Sequence, residues 1–264
     1  MKQIMKAQLY QLRKNRLIWI VFILLLLIQC TQMLGESDFV NQTGLDVLIL
    51  AGDYVAGNGI TIVSFALIFA LTFTALICGA DFIDKTSNYE LMSGHERKDV
   101  YFGRAIISII GGTVGTMLIC AFPVLVGSVA GQWGDSISFG NVMVRYLLSV
   151  FPIVRIICEF VFLTFLVKNA YIVMTVGVIV LLYGVMIPTM FTGGNAAFLG
   201  LSALAKLYDF SAWSTYTLVG QKTIVVYDAV IKAGEIIPLV LVSIVFGGLF
   251  LMLGYWFFNK DDLN

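Results

Sequence analysis

Arg155 and Glu159 stand four residues apart in the apolar run PIVRIICEF, a spacing that puts both side chains on one face of a helix. A lone charge near the middle of a bilayer costs about 2.5–3.5 kcal/mol on insertion scales, and an opposite charge one turn away offsets part of that cost. The chemistry open to the pair is electrostatic. It is either a structural ion pair that fixes the helix against its neighbours, or a polar patch lining a substrate route or a dimer interface. A second concentration of ionisable residues runs from Asp81 to Arg104, where acids and bases alternate with apolar residues at helical spacing. Such a segment suits recognition of a partner surface; its one histidine, His95, reads as a surface residue and not as a proton relay or ligand. Cys30, Cys78, Cys120 and Cys158 lie far apart inside apolar runs without CxxC spacing, and read as small buried hydrophobes.

Catalytic signatures are missing. The chain has no GxxxxGK[ST] loop to cradle a nucleotide phosphate, no HExxH and no GxSxG. It is therefore expected to be no enzyme by itself, with no cofactor or metal of its own. Sixteen Lys and Arg balance sixteen Asp and Glu, so no overall basic field exists to hold nucleic acid.

The elements that must position these residues are membrane spans. Of 264 residues, 59% are hydrophobic and only 12% charged, with a mean hydropathy of +0.95. A soluble domain carries about 25% charged residues. Crossing a hydrocarbon core of about 30 Å takes about 20 mostly apolar residues in a helix. Six segments qualify, at about 17–34, 60–80, 105–130, 146–167, 170–191 and 237–258. The expected fold is one all-α membrane domain over residues 1–264.

Basic residues mark the inner side of a membrane. With the start of the chain inside, eleven Lys and Arg fall in inner segments and four outside, and Arg155 stays in the membrane. Both ends of the chain are then cytoplasmic. The first loop, with Asp38, Asp46 and Asp53, is acidic and external. Residues 1–16 place Met1, Met5, Leu9 and Leu12 on one stripe, as in a helix lying in the inner interface. That helix either anchors the first span or relays motion from a partner. The long segment from Thr192 to Ile236 is expected to hold short external or re-entrant helices, with Phe198, Tyr208, Trp213 and Tyr216 at headgroup depth. Gly111 and Gly115, and Gly127 and Gly131, form small-xxx-small spacings that read as helix packing.

In the second loop, Asn88 to Ser93 reads as a short helix ended by Gly94, after which the chain leads into the third span. Asp81, Thr86, Glu90, Leu91, Ser93, Gly94 and Arg97 stand in the pattern D-x-x-x-x-T-x-x-x-E-L-x-S-G-x-x-R. With that pattern the loop resembles the cytoplasmic loop of ABC-2 type permeases, the membrane subunits of ABC exporters. The small Gram-positive members that serve bacteriocin or lantibiotic immunity, or antimicrobial-peptide efflux, are the nearest in style. The basic first helix, the six spans and the long external segment before the last span resemble the family along the whole chain.

The resemblance implies a coupling helix that sits in a groove of a separate cytoplasmic ATPase, which would hold ATP and Mg. Its contact residues would be Asn88, Tyr89, Glu90, Leu91, Met92, Ser93, Gly94 and Arg97, with Glu90 and Arg97 foremost. It further implies a second permease copy or a related permease, a peptide or amphiphilic, lipid-like substrate, a gate-like external lid, and a bacterial plasma membrane. The alternative is a membrane-embedded sensor or immunity protein that binds a peptide or lipid without moving it. A secondary transporter is a third possibility, for which only Arg155 and Glu159 supply intramembrane ionisable groups.

Overall fold

The computed structural model describes residues 2–42, 51–83, 86–130, 133, 137–183, 200–208, 210, 214–219, 222–227 and 233–260. In chain order these form α1 (Lys2–Lys14), α2 (Arg16–Gln42), α3 (Ala51–Ile83), α4 (Thr86–Met92), α5 (Arg97–Ala130), α6 (Phe139–Val167), α7 (Ala170–Tyr183), α8 (Gly200–Tyr208), β1 (Ser214–Val219), β2 (Lys222–Tyr227) and α9 (Ala233–Lys260). Among the described residues, five helices are long and apolar enough to cross a membrane: α2, α3, α5, α6 and α9. The chain is a helical, multi-pass membrane protein. The segment expected to form a span at 170–191 is α7, a shorter apolar helix, and residues 184–191 lie outside the described set.

Local chemistry explains the helix ends. Asn15 stops α1 and accepts the Leu17 N–H at 3.1 Å, capping α2. Ser138 caps α6 by accepting the Asn141 N–H. Lys168 then closes α6 in the left-handed region at φ 55°, and Asn169 accepts the N–H groups of Tyr171 and Ile172 to start α7.

Helix α3 forms the middle of the bundle, packed against α2, α5, α6 and α7. Gly111 and Gly115 of α5 lie on its aromatic ridge. A Cβ at Gly111 would stand 2.5 Å from the Phe73 ring, and one at Gly115 would collide with the Phe69 ring. Phe69 is itself wedged between Phe22 of α2 and Phe73, with ring centroids 5.4 and 5.6 Å away. This pair of glycines is thus a packing device, as its spacing suggested. Gly115→Val is expected to cost about 1–3 kcal/mol by overpacking, read as a lower unfolding midpoint in detergent. An unchanged midpoint would mean that α5 and α3 do not meet this closely.

Contacts between remote residues sort the helix ends. Gln8 of α1 reaches Asp81 of α3, Phe82 meets Phe165 and Phe258 edge-to-face, and Arg97 reaches the carbonyl of Asn259. The first helix, the last turns of α3, α6 and α9, and the first turn of α5 therefore share one end of the bundle. Helix α8 sits at the other end, where Arg145 of α6 donates to the Leu207 carbonyl at 2.9 Å.

One local expectation changes and another is refined. The buried side of α1 is Ile4 and Gln8, with Met5 and Leu12 partly buried beside them. Leu9 of the expected stripe is exposed on the protein, and Gln8 turns inward to donate to Asp81. Between the last two apolar helices, where short helices were expected, α8 is followed by the antiparallel pair β1–β2. The sequences STYTLV and KTIVVY are rich in β-branched and aromatic residues. Val219 pairs with Lys222, so only Gly220 and Gln221 link the strands, a hairpin spacing that the sequence already contains.

Candidate functional site

Helix α4 is short, TSNYELM, and ends because Gly94 takes φ +91°, a conformation glycine adopts without steric cost. The Gly94 N–H donates to the Leu91 carbonyl and the His95 N–H to the Glu90 carbonyl. Together these bonds make a Schellman motif. The expected helix at Asn88 to Ser93 and its stop at Gly94 are thus present, with the helix starting two residues earlier.

Below α4 lies a buried ionic cluster. Arg104 of α5 is fully buried, and its Nη2 sits 3.0 Å from Asp81 Oδ2 and 2.7 Å from Glu90 Oε2. Gln8 Nε2 donates to Asp81 Oδ2 at 2.9 Å, and Gln11 Nε2 to Asp81 Oδ1 at 3.3 Å. The Phe82 ring lies 5.9 Å from the guanidinium carbon of Arg104. One arginine thereby joins α3, α4 and α5, and the carboxylate of Asp81 carries the connection on to α1. Arg104 was legible only as one of the inner basic residues; its partners are 14 and 23 residues away in sequence. The paired acids Asp81 and Glu90 in the loop pattern are the signal that could have pointed to it.

Glu90 and Arg97 have their charged atoms engaged within the chain. Arg97 Nη1 donates to the carbonyls of Asn259, at 2.9 Å, and Phe258, at 3.3 Å, tying the base of the loop to the end of α9. Tyr89 and Met92 face outward at 68% and 82% exposure. Leu91 is partly buried against the core, Ser93 Oγ donates back to the Glu90 carbonyl, and Asn88 lies in the middle of α4. His95 lies at the turn after α4 and Lys98 pairs with Glu96 at 2.6 Å on the surface.

Arg155 and Glu159 form the i, i+4 ion pair that their spacing implies, Nε to Oε1 at 3.0 Å. Arg155 is buried, and Phe246 of α9 covers its guanidinium at 4.7 Å.

At the opposite end a third buried arginine, Arg145, was legible only as an external loop charge. It holds α8 through the Leu207 carbonyl, touches Asn141 at 3.4 Å and lies over the Phe210 ring at 4.6 Å. Tyr208 packs into the bundle at this end. It is buried, and its hydroxyl donates to Ser149 Oγ at 3.1 Å, because α8 packs its apolar side down onto α6 and α3. Burial pushes the Tyr208 phenol well above its ordinary pKa, so it stays a neutral donor. Tyr216 lies in β1, and Phe198 and Trp213 fall outside the described residues. Cys78, Cys120 and Cys158 are buried free thiols and Cys30 is half-buried; Cys78 and Ser108 share a hydrogen bond of 3.1 Å.

The fold and its polar clusters define a helical membrane protein whose interior arginines tie helices together at both ends. Compared with protein-family models, curated proteins and solved structures, the chain matches none.

Proposed function

We propose that the chain is the permease subunit of an ATP-driven ABC exporter in a bacterial plasma membrane, with α4 as its coupling helix. The observation that carries this reading is the Arg104 cluster. A helix that receives force from a partner must be joined rigidly to the spans it moves. Here Glu90 joins α4 to Arg104 of α5, Arg104 continues to Asp81 of α3, and Asp81 to Gln8 of α1. Tyr89 and Met92, exposed on the outer side of α4, are the residues that dock in the ATPase groove, and Glu90 and Arg97 transmit the push.

Six crossings complete the topology. The first helix and the end of α9 share one end of the bundle, which needs an even number of crossings, and the chain from Ala170 to α8 runs from that end to the other. The basic first helix makes the shared end cytoplasmic. ATP and Mg belong to the partner ATPase, and the pathway is completed by a second copy of the chain or a related permease. The apolar spans suit a peptide or amphiphile, and α8 with the β1–β2 ribbon, including Tyr208 and Tyr216, forms the outer lid.

The test is purification of the tagged chain from its native host in mild detergent, with assay of vanadate-sensitive ATP hydrolysis. A co-purifying ATPase is expected, and it should be lost with Tyr89→Asp plus Met92→Asp while expression persists. An exposed aromatic anchor is often worth about 2 kcal/mol or more at an interface, so association should fall by well over tenfold. A native chain that elutes without ATPase activity across several detergents would overturn the permease reading in favour of a sensor or immunity protein.

A further inference from the structure

Helix α1 packs against α5, buries Ile4 and Gln8, and is held to Asp81 through Gln8. At 3.6 residues per turn, Lys2, Lys6 and Arg13 fall within about 40° of one another, on the side opposite Ile4 and Gln8. All three are exposed, and the exposed Leu9 and Tyr10 flank them on either side. Among the described residues no carboxylate pairs with any of the three cations. Lys14, which lies over the Tyr10 ring at 4.9 Å, stands off this stripe. One residue, Asn15, separates α1 from α2. Near the start of α2, Leu17, Trp19 and Ile20 are exposed, and tryptophan on a span settles at headgroup level. The end of α1 is thereby set at that depth.

We propose that this stripe binds anionic phospholipid headgroups, with lipid phosphates paired to Lys2, Lys6 and Arg13 and with Leu9 and Tyr10 set into the acyl boundary. Charge complementarity requires an anion, because the stripe carries three cations that the protein leaves without acids. The flanking residues and the depth select a lipid. An acidic protein surface would engage the cations and leave Leu9 and Tyr10 in water, whereas the boundary between headgroups and acyl chains accommodates both. Long basic side chains can lie along that boundary and still reach the phosphates. The bond from Gln8 to Asp81 holds α1 from behind, so the stripe is presented outward in a fixed orientation. The inference needs only that α2 crosses a bilayer, and no ATPase enters it.

Amide exchange over Lys2–Lys14 in lipid nanodiscs tests it. Each basic residue near an anionic surface is worth about fivefold in binding. The native chain should therefore exchange about fivefold or more slowly in discs of one part phosphatidylglycerol to two parts phosphatidylcholine than in phosphatidylcholine alone. The difference should vanish near 1 M salt, where the screening length falls to about 3 Å. Lys6→Gln with Arg13→Gln should abolish it, while Lys2, Lys14 and Arg16 remain to keep the start of the chain on its own side. Lys14→Gln with Arg16→Gln removes the same charge off the stripe and should retain most of the difference. Four results would overturn the proposal. The native chain could exchange equally in both lipids, or the Lys6 and Arg13 variant could respond as the native chain does. An equal loss in the Lys14 and Arg16 variant would reduce the effect to net charge. The same slowing by soluble glycerol phosphate in neutral discs would make the stripe a plain anion site. Co-purification of an ATPase is read separately, and its failure would remove the exporter reading alone.

Discussion

Arg104→Met is expected to destabilise the protein by about 3–5 kcal/mol, the range for deleting one partner of a buried ion pair. The substitution leaves Asp81 buried and without its cation, and it frees Glu90 and hence α4. Desolvation makes the loss larger than the modest value of an exposed salt bridge. Denaturant unfolding in detergent would measure it, and a variant retaining native stability would show that the cluster does not hold this end together. Arg104→Lys should recover only part, because both carboxylates meet the buried guanidinium at its terminal Nη2, and the more strongly hydrated ammonium is costlier to bury there. Adding Asp81→Asn to Arg104→Met should restore stability beyond the single variant, since the uncompensated charge is then gone. That double variant would still lack the bridge from α4 to α3. If the exporter reading holds, it should hydrolyse ATP with its partner yet fail to transport.

The second large effect is expected at the opposite end. Arg145→Met removes a charged donor from the Leu207 carbonyl and the cation over the Phe210 ring. Hydrogen bonds to charged groups contribute about 1.5–3 kcal/mol, and a desolvated cation–π contact adds up to about 2 kcal/mol, though the two are not additive. The loss should be local. Amide exchange over Gly200–Tyr208 should quicken by tenfold or more while α4 and the first turn of α5 keep their protection. Equal loosening at both ends would mean that Arg145 supports the whole bundle and not the docking of α8. Tyr208→Phe, which deletes only the hydroxyl bonded to Ser149, should give a smaller change in the same direction.

Much of the bundle was legible because a bilayer imposes one-dimensional rules. Length and hydropathy mark α2, α3, α5, α6 and α9, since each span needs only its own consecutive apolar residues. Short-range geometry was equally plain: Gly94 stops α4 because the required φ is positive, and Arg155 meets Glu159 because a helix brings residues four apart together. Glycines at 111 and 115 announced close approach, although the rings they admit, Phe73 and Phe69, belong to another helix.

Other features were present in the sequence but outweighed. The β1–β2 ribbon has strand-forming runs and a two-residue link, yet its length and apolarity read as helix or near-span. The stripe Met1, Met5, Leu9 and Leu12 marks an apolar side of α1, but it carries no sign that Gln8 turns inward to Asp81.

By itself, then, the sequence determined the long apolar helices, the end of the short helix α4 at Gly94 and the pairing of Arg155 with Glu159. All of these depend on composition or on neighbours within one or two helical turns. Only the tertiary structure decided that Arg104 and Arg145 are interior ties and not loop charges, that Gln8 turns inward, that Tyr208 is buried, and that Glu90 and Arg97 spend their charges within the chain. The physical reason is that a charge is buried only when partners arrive to compensate it. Those partners, Asp81, the Leu207 carbonyl and the end of α9, come from helices whose adjacency no local spacing encodes.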